Sequence, residues 1–326
     1  MDLKQIEYFL RVAELRSFSR AAEYLNISQS ALSRQVRLLE LDLRQHLLYR
    51  NGRGVEPTEA GERFVGYAKA LLQLVDRARE DMQSMQDAPS GKVTLGLPPR
   101  VAHVLTPPMV LAFRKQFPQG AISVAEGLSA QTREWLITGR VDIALLYDPP
   151  PSPLLGYETL FREELVLVCA RTQTPALPAS VTVAELANYP LILPSQPNAI
   201  RTLTERVCGS QNVRLNVVAE VDAVHTITEL AAQGHAYAIL PESAVVLEAN
   251  PDAFATARIT SPAIRNNLVL AVPRSRPMTR LAVATAALIR GTDFPSLFVR
   301  TPRAAHADKP VATETAMADV EHGAGG

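Results

Sequence analysis

The sequence predicts an α + α/β fold class, and three observations predict it. Apolar residues recur at helical spacing through roughly the first 43 positions. Phe64, Ala68, Leu71, Val75, Ala78, Met82 and Met85 then alternate by four and three with no proline among them. From Lys92 onward, strand-like apolar runs alternate with helical ones. Composition agrees with folded structure: 47% of residues are hydrophobic and 20% charged. The 33 basic and 33 acidic residues cancel, so affinity for nucleic acid or a membrane has to come from local patterning.

Leu3, Ile6, Phe9, Leu10 and Ala13 set a first helix over about residues 2–14. Ser17 is placed to cap a second, short helix whose Ala21, Ala22 and Leu25 face inward. "LNIS" makes a turn, and Ser28 caps a third helix in "SQSALSRQVRLLELDL". Leu32, Val36, Leu39 and Leu43 form its buried stripe, while Gln29, Ser30, Ser33, Arg34 and Arg37 crowd the other face with hydrogen-bond donors. Two short helices on a third make a helix-turn-helix, which offers the N-terminal residues of its last helix to base edges in the major groove. Gln29 is suited to adenine and Arg34 to guanine, Ser30 and Ser33 can donate or accept, and Arg37 is placed for a phosphate.

"HLLYRNGRGVEPT" follows, with apolar runs on either side of Asn51-Gly52, a dipeptide favoured in tight hairpins. Arg50 and Arg53 flank that turn, so residues 1–58 read as a winged helix-turn-helix with a basic wing. They hold nine Lys/Arg against seven Asp/Glu.

Thr58 can cap the next helix, a linker over residues 59–88 that at 1.5 Å per residue would be about 45 Å long. Its four-three seam favours pairing with a second copy through Phe64, Leu71, Val75 and Met82, with Ala68 and Ala78 weakening it. "APSG" closes the helix at a hinge.

Residues 89–300 read as an α/β domain of two lobes, about 92–162 with 268–299 and about 163–267. The strands expected are "KVTLGL", "AISVAEG", "VDIALLYD", "EELVLVCA", "PLILPS", "RLNVVAEV", "AYAILP" and "NLVLAVP". Helices are expected at 103–117, with Pro107 and Pro108 near its first turn, and at 129–140, 198–208, 223–233 and 279–290. Ligands of such sheets collect beyond the carboxyl ends of strands. Those places hold Pro99, Arg100 and Val101, Ser129 and Gln131, Ser195 and Asn198, and His225, a set suited to a small polar or anionic molecule. Residues 301–326 are expected to be a disordered tail.

Enzymatic chemistry has little footing. The sequence has no GxSxG, no phosphate-cradling glycine motif and no metal-type spacing around Cys169 and Cys208, and no catalytic, metal or cofactor site is expected. Asp142 reads as a turn residue, His103 as a surface or capping one, and Cys169 as a buried reduced thiol. No secretory leader or membrane span is legible, so a cytoplasmic protein is expected.

"LKQIEYFLRVAELRSFSRAAEYLNISQSALSRQVRLLE" and "LLYRNGRGVEPTEAG" resemble the LysR-type transcriptional regulators, and the resemblance extends over about residues 1–300. "YRNGRGV" and "GRVDIALLYDP" are most similar to the nitrogen-assimilation-control type of that family. The resemblance implies a periplasmic-binding-protein-like effector domain with a co-inducer between the lobes, and a dimer of dimers on double-stranded promoter DNA, working with RNA polymerase near its own gene. It places Gln29, Ser30, Ser33 and Arg34 on bases and Arg50 and Arg53 on the wing. Pro57 departs from the usual apolar residue before "TEAG". Pro99 and Arg100 replace small hydroxyl residues, which suggests an acidic ligand paired with Arg100. The competing reading is a DNA-binding regulator whose α/β domain serves assembly alone.

Overall fold

The computed structural model describes residues 1–51, 54–83, 89–234 and 236–298. Arg53 of the wing, Met85 of the seam and the 301–326 tail lie outside the described residues, as does the Arg50 side chain.

Three capped helices open the chain. In α1 (Leu3–Leu15) the Asp2 carboxylate accepts from the Gln5 backbone N–H while the Gln5 side chain accepts from Asp2 N, a reciprocal capping box. Ser17 caps α2 (Phe18–Tyr24) by accepting from Arg20 N, and Ser28 caps α3 (Gln29–Leu43) by accepting from Ala31 N. Val12, Phe18, Ala21, Ala22, Leu32 and Val36 close the core between them, and Val55 seals it from the hairpin.

That hairpin pairs β1 (Leu48–Asn51) with β2 (Gly54–Pro57), from Leu48↔Pro57 to Asn51↔Gly54. Asn51 is therefore the last ladder residue, not the first residue of the turn as its dipeptide suggested. Gly54 has φ +149°, which favours glycine, and a Cβ there would stand 3.1 Å from the Arg16 carbonyl that accepts Val55 N–H.

The linker α4 runs Glu59–Gln83. Thr58 Oγ1 accepts from Gly61 N at 2.9 Å and donates to the His46 carbonyl at 2.6 Å, fixing the helix start to the wing. A Cβ on Gly61 would fall 2.0 Å from the Leu47 carbonyl oxygen, which accounts for the glycine in "TEAG". The first residues of the expected seam have other work. Phe64 packs on Phe9 at 5.3 Å between ring centroids, and Ala68 is wholly buried among Ile6, Phe9, Ala13, Leu39 and Leu47. They belong to the chain's own N-terminal core, because the helix start is pinned against α1. Leu71 and Met82 remain exposed, with Tyr67 and Leu74 beside them.

Beyond Gly91 two sheets share one strand. In the first lobe β3 (Gly91–Leu97) pairs in parallel with β4 (Gly120–Glu126) and β5 (Ile143–Tyr147). Strand β12 (Arg265–Pro273) lies antiparallel between β5 and the first ten residues of β6 (Leu155–Ala170). Helices α5 (Pro99–Gln116), α6 (Ser129–Thr138), α10 (Arg280–Arg290) and α11 (Phe294–Leu297) belong to this lobe. From Leu165 onward β6 changes sheets. There it pairs antiparallel with β10 (Tyr237–Pro241) and with β11 (Phe254–Thr260), which in turn holds β7 (Ser180–Thr182). Strands β8 (Pro190–Leu193) and β9 (Asn216–Glu220) extend the β10 side in parallel. Helices α7 (Ala199–Ser210), α8 (Val224–Ala232) and α9 (Glu242–Val246) complete this second lobe. Each lobe has its own core, around Leu95, Phe113, Ile143 and Leu270 in the first and Leu167, Leu191, Ile227 and Ile239 in the second.

Three expectations are corrected. Helix α5 begins at Pro99 rather than 103, so Pro107 and Pro108 are interior. They remove the N–H donors that would meet the carbonyls of His103 and Val104, and both prolines and His103 lie on the solvent side where water can serve instead. Strand β6 starts eight residues before the expected Glu163, and β7 and β11 were not expected. Both cysteines are buried and free, and burial pushes the thiols up, that of Cys208 to about 11. Among the described residues no helix is long and apolar enough to cross a membrane.

Candidate functional site

The outer face of α3 is the first candidate surface. Its inner residues Leu32, Val36 and Leu39 are buried, which turns Gln29, Ser30, Arg34 and Arg37 outward, all exposed, with Ser33 half-buried at the edge. Among the described residues Arg34 and Arg37 have no hydrogen bond or ion pair, so both guanidiniums are available to a partner. Ser19 of α2 donates to Gln29 Oε1 at 3.2 Å, so the Gln29 side-chain oxygen is engaged within the chain. Ser30 Oγ sits 3.2 Å from the capping Ser28. Ser19 was not singled out from sequence, because its role depends on α2 and α3 crossing at that point.

The second candidate lies between the lobes, where a cavity of about 130 Å³ is lined by residues of both. Ser129, Arg133, Tyr147, Asp148, Pro149 and Pro150 come from the first lobe, and Pro197, Ala199, Thr202, Leu203 and Arg206 from the second. Ser129 Oγ accepts the Tyr147 backbone N–H at 2.9 Å, joining α6 to the end of β5. Arg133 Nε donates to the Tyr157 hydroxyl at 3.3 Å. Asp148, with φ +42°, accepts from the Asn267 backbone N–H at 3.1 Å and side-chain amide at 2.7 Å.

Of the eight residues that sequence reading gave to a ligand, the cavity collects Ser129 alone. Val101 is fully buried in the first lobe's core, because α5 starts earlier than expected and turns it inward. Pro99 is the exposed first residue of α5, and Gln131 is exposed on α6. The Ser195 backbone N–H donates to Asp222, and Asn198 caps α7 by accepting from Ile200 N. His225 is exposed beside Glu229 and Glu248, each at 3.4 Å.

Arg100 is the largest correction. Instead of awaiting an acidic ligand it is bound within the chain. Its guanidinium pairs with Glu163 of β6, donates to Tyr147 Oη at 2.6 Å and to Ser243 Oγ of α9, and lies over the Phe298 ring. Ser243 in turn donates to Glu163. Burial acts against the Arg100 charge, but Tyr147 and Glu163 outweigh it and hold the guanidinium above its usual value. Burial likewise pushes the Tyr147 phenol up. Sequence reasoning missed Arg133, Tyr147, Asp148, Thr202 and Arg206, since each sits in an unremarkable helix or strand end and only the meeting of the lobes assembles them. Among the described residues no group of His, Cys, Asp and Glu could hold a metal ion.

A family model described as the bacterial regulatory helix-turn-helix protein, lysR family, matches residues 3–62, and one described as the LysR substrate binding domain matches residues 86–293. The nitrogen assimilation regulatory protein nac of Escherichia coli K12 is 33% identical over 291 residues, 89% of this chain and 94% of that protein. The transcriptional activator IlvY of Salmonella typhimurium is 30% identical over 259 residues, 77% of this chain and 85% of that one. Among solved structures, a full-length OxyR variant from Pseudomonas aeruginosa superposes with a TM-score of 0.69 at 23% identity, covering 90% of this chain and 96% of that one. Full-length CbnR in complex with its target DNA gives 0.65 at 21% identity, covering 89% and 99%.

Proposed function

Because this chain belongs to the LysR family of regulators, we propose how its parts divide the labour of one. The protein is a DNA-binding transcriptional regulator, modulated by a small molecule, and it is not an enzyme. The observation that carries the reading is α3: a helix fixed by its buried stripe that holds two unpaired arginines beside Gln29 and Ser30 on its open face. Arg34 takes a guanine edge and Gln29 and Ser30 neighbouring bases, with Ser33 at the margin. Arg37 takes a phosphate, and the wing brings Arg50 and Arg53 to the backbone or the minor groove. The exposed stretch of α4 pairs two copies, two pairs make a dimer of dimers on promoter DNA, and RNA polymerase is the downstream partner. The effector lies between the lobes, and the reading includes no metal or cofactor and a cytoplasmic location. An α/β domain serving assembly alone would need no such cavity between its lobes.

The test is selection of genomic fragments of the source organism by the purified protein at about 0.15 M salt, where non-specific phosphate binding is weak. A few promoter fragments should be recovered, one of them beside the protein's own gene. Recovery of nothing above background, with and without added cell metabolites, would refute sequence-specific binding.

A further inference from the structure

We infer that the effector is a small carboxylate clamped between Arg133 of the first lobe and Arg206 of the second, an inference that rests on the effector-responsive reading above. Both arginines line the same inter-lobe cavity. Among the described residues neither has an ion-pair partner. Arg133 meets only the neutral Tyr157 hydroxyl, and Arg206, exposed on α7, has no hydrogen bond.

The rest of the lining sharpens the class of ligand. Ser129 Oγ already accepts the Tyr147 N–H, so what it offers a ligand is its hydroxyl proton. Two guanidiniums and a hydroxyl donor ask for an acceptor-only group, which an ionised carboxylate is. The one acidic lining residue, Asp148, has both oxygens occupied by Asn267, and the two arginines still leave the lining with a net charge of +1. Arg100, which donates to the cavity-lining Tyr147, is taken by Glu163 and does not compete for the ligand. The cavity of about 130 Å³ sets the size. An engineered cavity of about 150 Å³ takes a benzene-sized molecule, so the ligand has on the order of six heavy atoms within the cavity. An anion that touches both arginines ties α6 to α7, and through them one lobe to the other, so occupancy favours one relative setting of the lobes.

The experiment uses the full chain at fixed ionic strength. Acetate, malonate, succinate, glutarate and benzoate are compared with acetamide, malonamide, succinamide, glutaramide and benzamide, by thermal unfolding and calorimetric titration. At least one acid should raise the melting temperature saturably while its amide does not. Arg133→Gln and Arg206→Gln should each weaken that acid at least tenfold, and Arg133→Lys should retain part of the affinity. Arg206 is exposed, so its variant tests binding without disturbing a core. The proposal is overturned if no acid binds, if acid and amide bind alike, or if both Gln variants titrate like the parent.

Retention of a selected promoter fragment is measured on the same samples. A neutral or cationic compound from a metabolite extract that stabilises the protein and changes DNA retention would overturn the carboxylate while keeping the effector reading. Intact DNA retention with no response to any compound would overturn the effector reading itself.

Discussion

Arg100 holds a full charge with 14% of its side chain exposed, facing a Glu163 that is 6% exposed. Such a pair is costly to desolvate, and its net worth depends on every remaining donor and acceptor being met. Here Tyr147 and Ser243 accept from the guanidinium, and Ser243 donates to the second carboxylate oxygen. The network reaches from α5 and β5 in one lobe, through the crossing strand β6, to α9 in the other. Breaking one partner leaves a buried uncompensated charge, so Glu163→Gln should destabilise the effector domain by about 3–5 kcal/mol. The double variant Arg100→Met with Glu163→Gln removes both charges and should recover most of that loss. Urea unfolding of the four proteins of this cycle checks the prediction, and strictly additive losses would show that the two residues do not act as a unit. Nothing in the sequence near Arg100 discloses its partner, which is 63 residues away. The resemblance paired Arg100 with an acidic ligand, but which anion it meets was decided by β6 crossing there.

At the scale of elements, the helix-turn-helix was legible because each of its signals is local. Ser17 and Ser28 cap within three residues of themselves, and the buried stripe of α3 is a matter of period alone. The linker helix was legible as a helix but not in its packing. A four-three alternation cannot say whether its apolar side meets a second copy or the chain's own domain, and in α4 only the first part of the stripe packs on the chain's own domain. Phe64 and Ala68 go to the N-terminal core, while Tyr67, Leu71, Leu74 and Met82 stay uncovered. The two parts should respond differently to substitution. Leu71→Asp places a charge in the exposed stretch and should lower the oligomeric state in sedimentation while leaving unfolding of the N-terminal domain within about 0.5 kcal/mol, as for a surface change. Phe64→Ala should do the reverse, costing up to about 3 kcal/mol of that domain's stability through the lost contact with Phe9. An unchanged oligomer in the Leu71 variant would show that this stripe pairs with nothing.

For the whole molecule, the alternation of strands and helices announced two α/β lobes, but the connection between them was less visible. Strand β6 is 16 residues long and serves two sheets, and its first half, "LGYETLFR", carries too many polar residues to look like a strand alone. Its pairing with β12 supplies what the local pattern lacks. The same distance between local and global holds for charge. A molecule with 33 basic and 33 acidic residues has no overall attraction for DNA, so under the proposed reading its affinity rests on the few cations of α3 and of the wing sequence. Those cations differ in what they should contribute. A phosphate contact releases counterions, and each one lost lowers the slope of log K against log salt by about 0.9. Arg37→Ala should therefore flatten the slope by roughly 1.8 on an operator with two half-sites, weakening selected and random DNA alike. Arg34→Ala should instead weaken the selected fragment by about 1–3 kcal/mol per half-site relative to random DNA. Filter binding of both variants from 0.05 to about 0.2 M salt, a range over which phosphate contacts register strongly, measures the two effects together. If Arg34→Ala lost affinity equally on both DNAs, Arg34 would be a phosphate ligand and the base reading of α3 would pass to Gln29 and Ser30 alone.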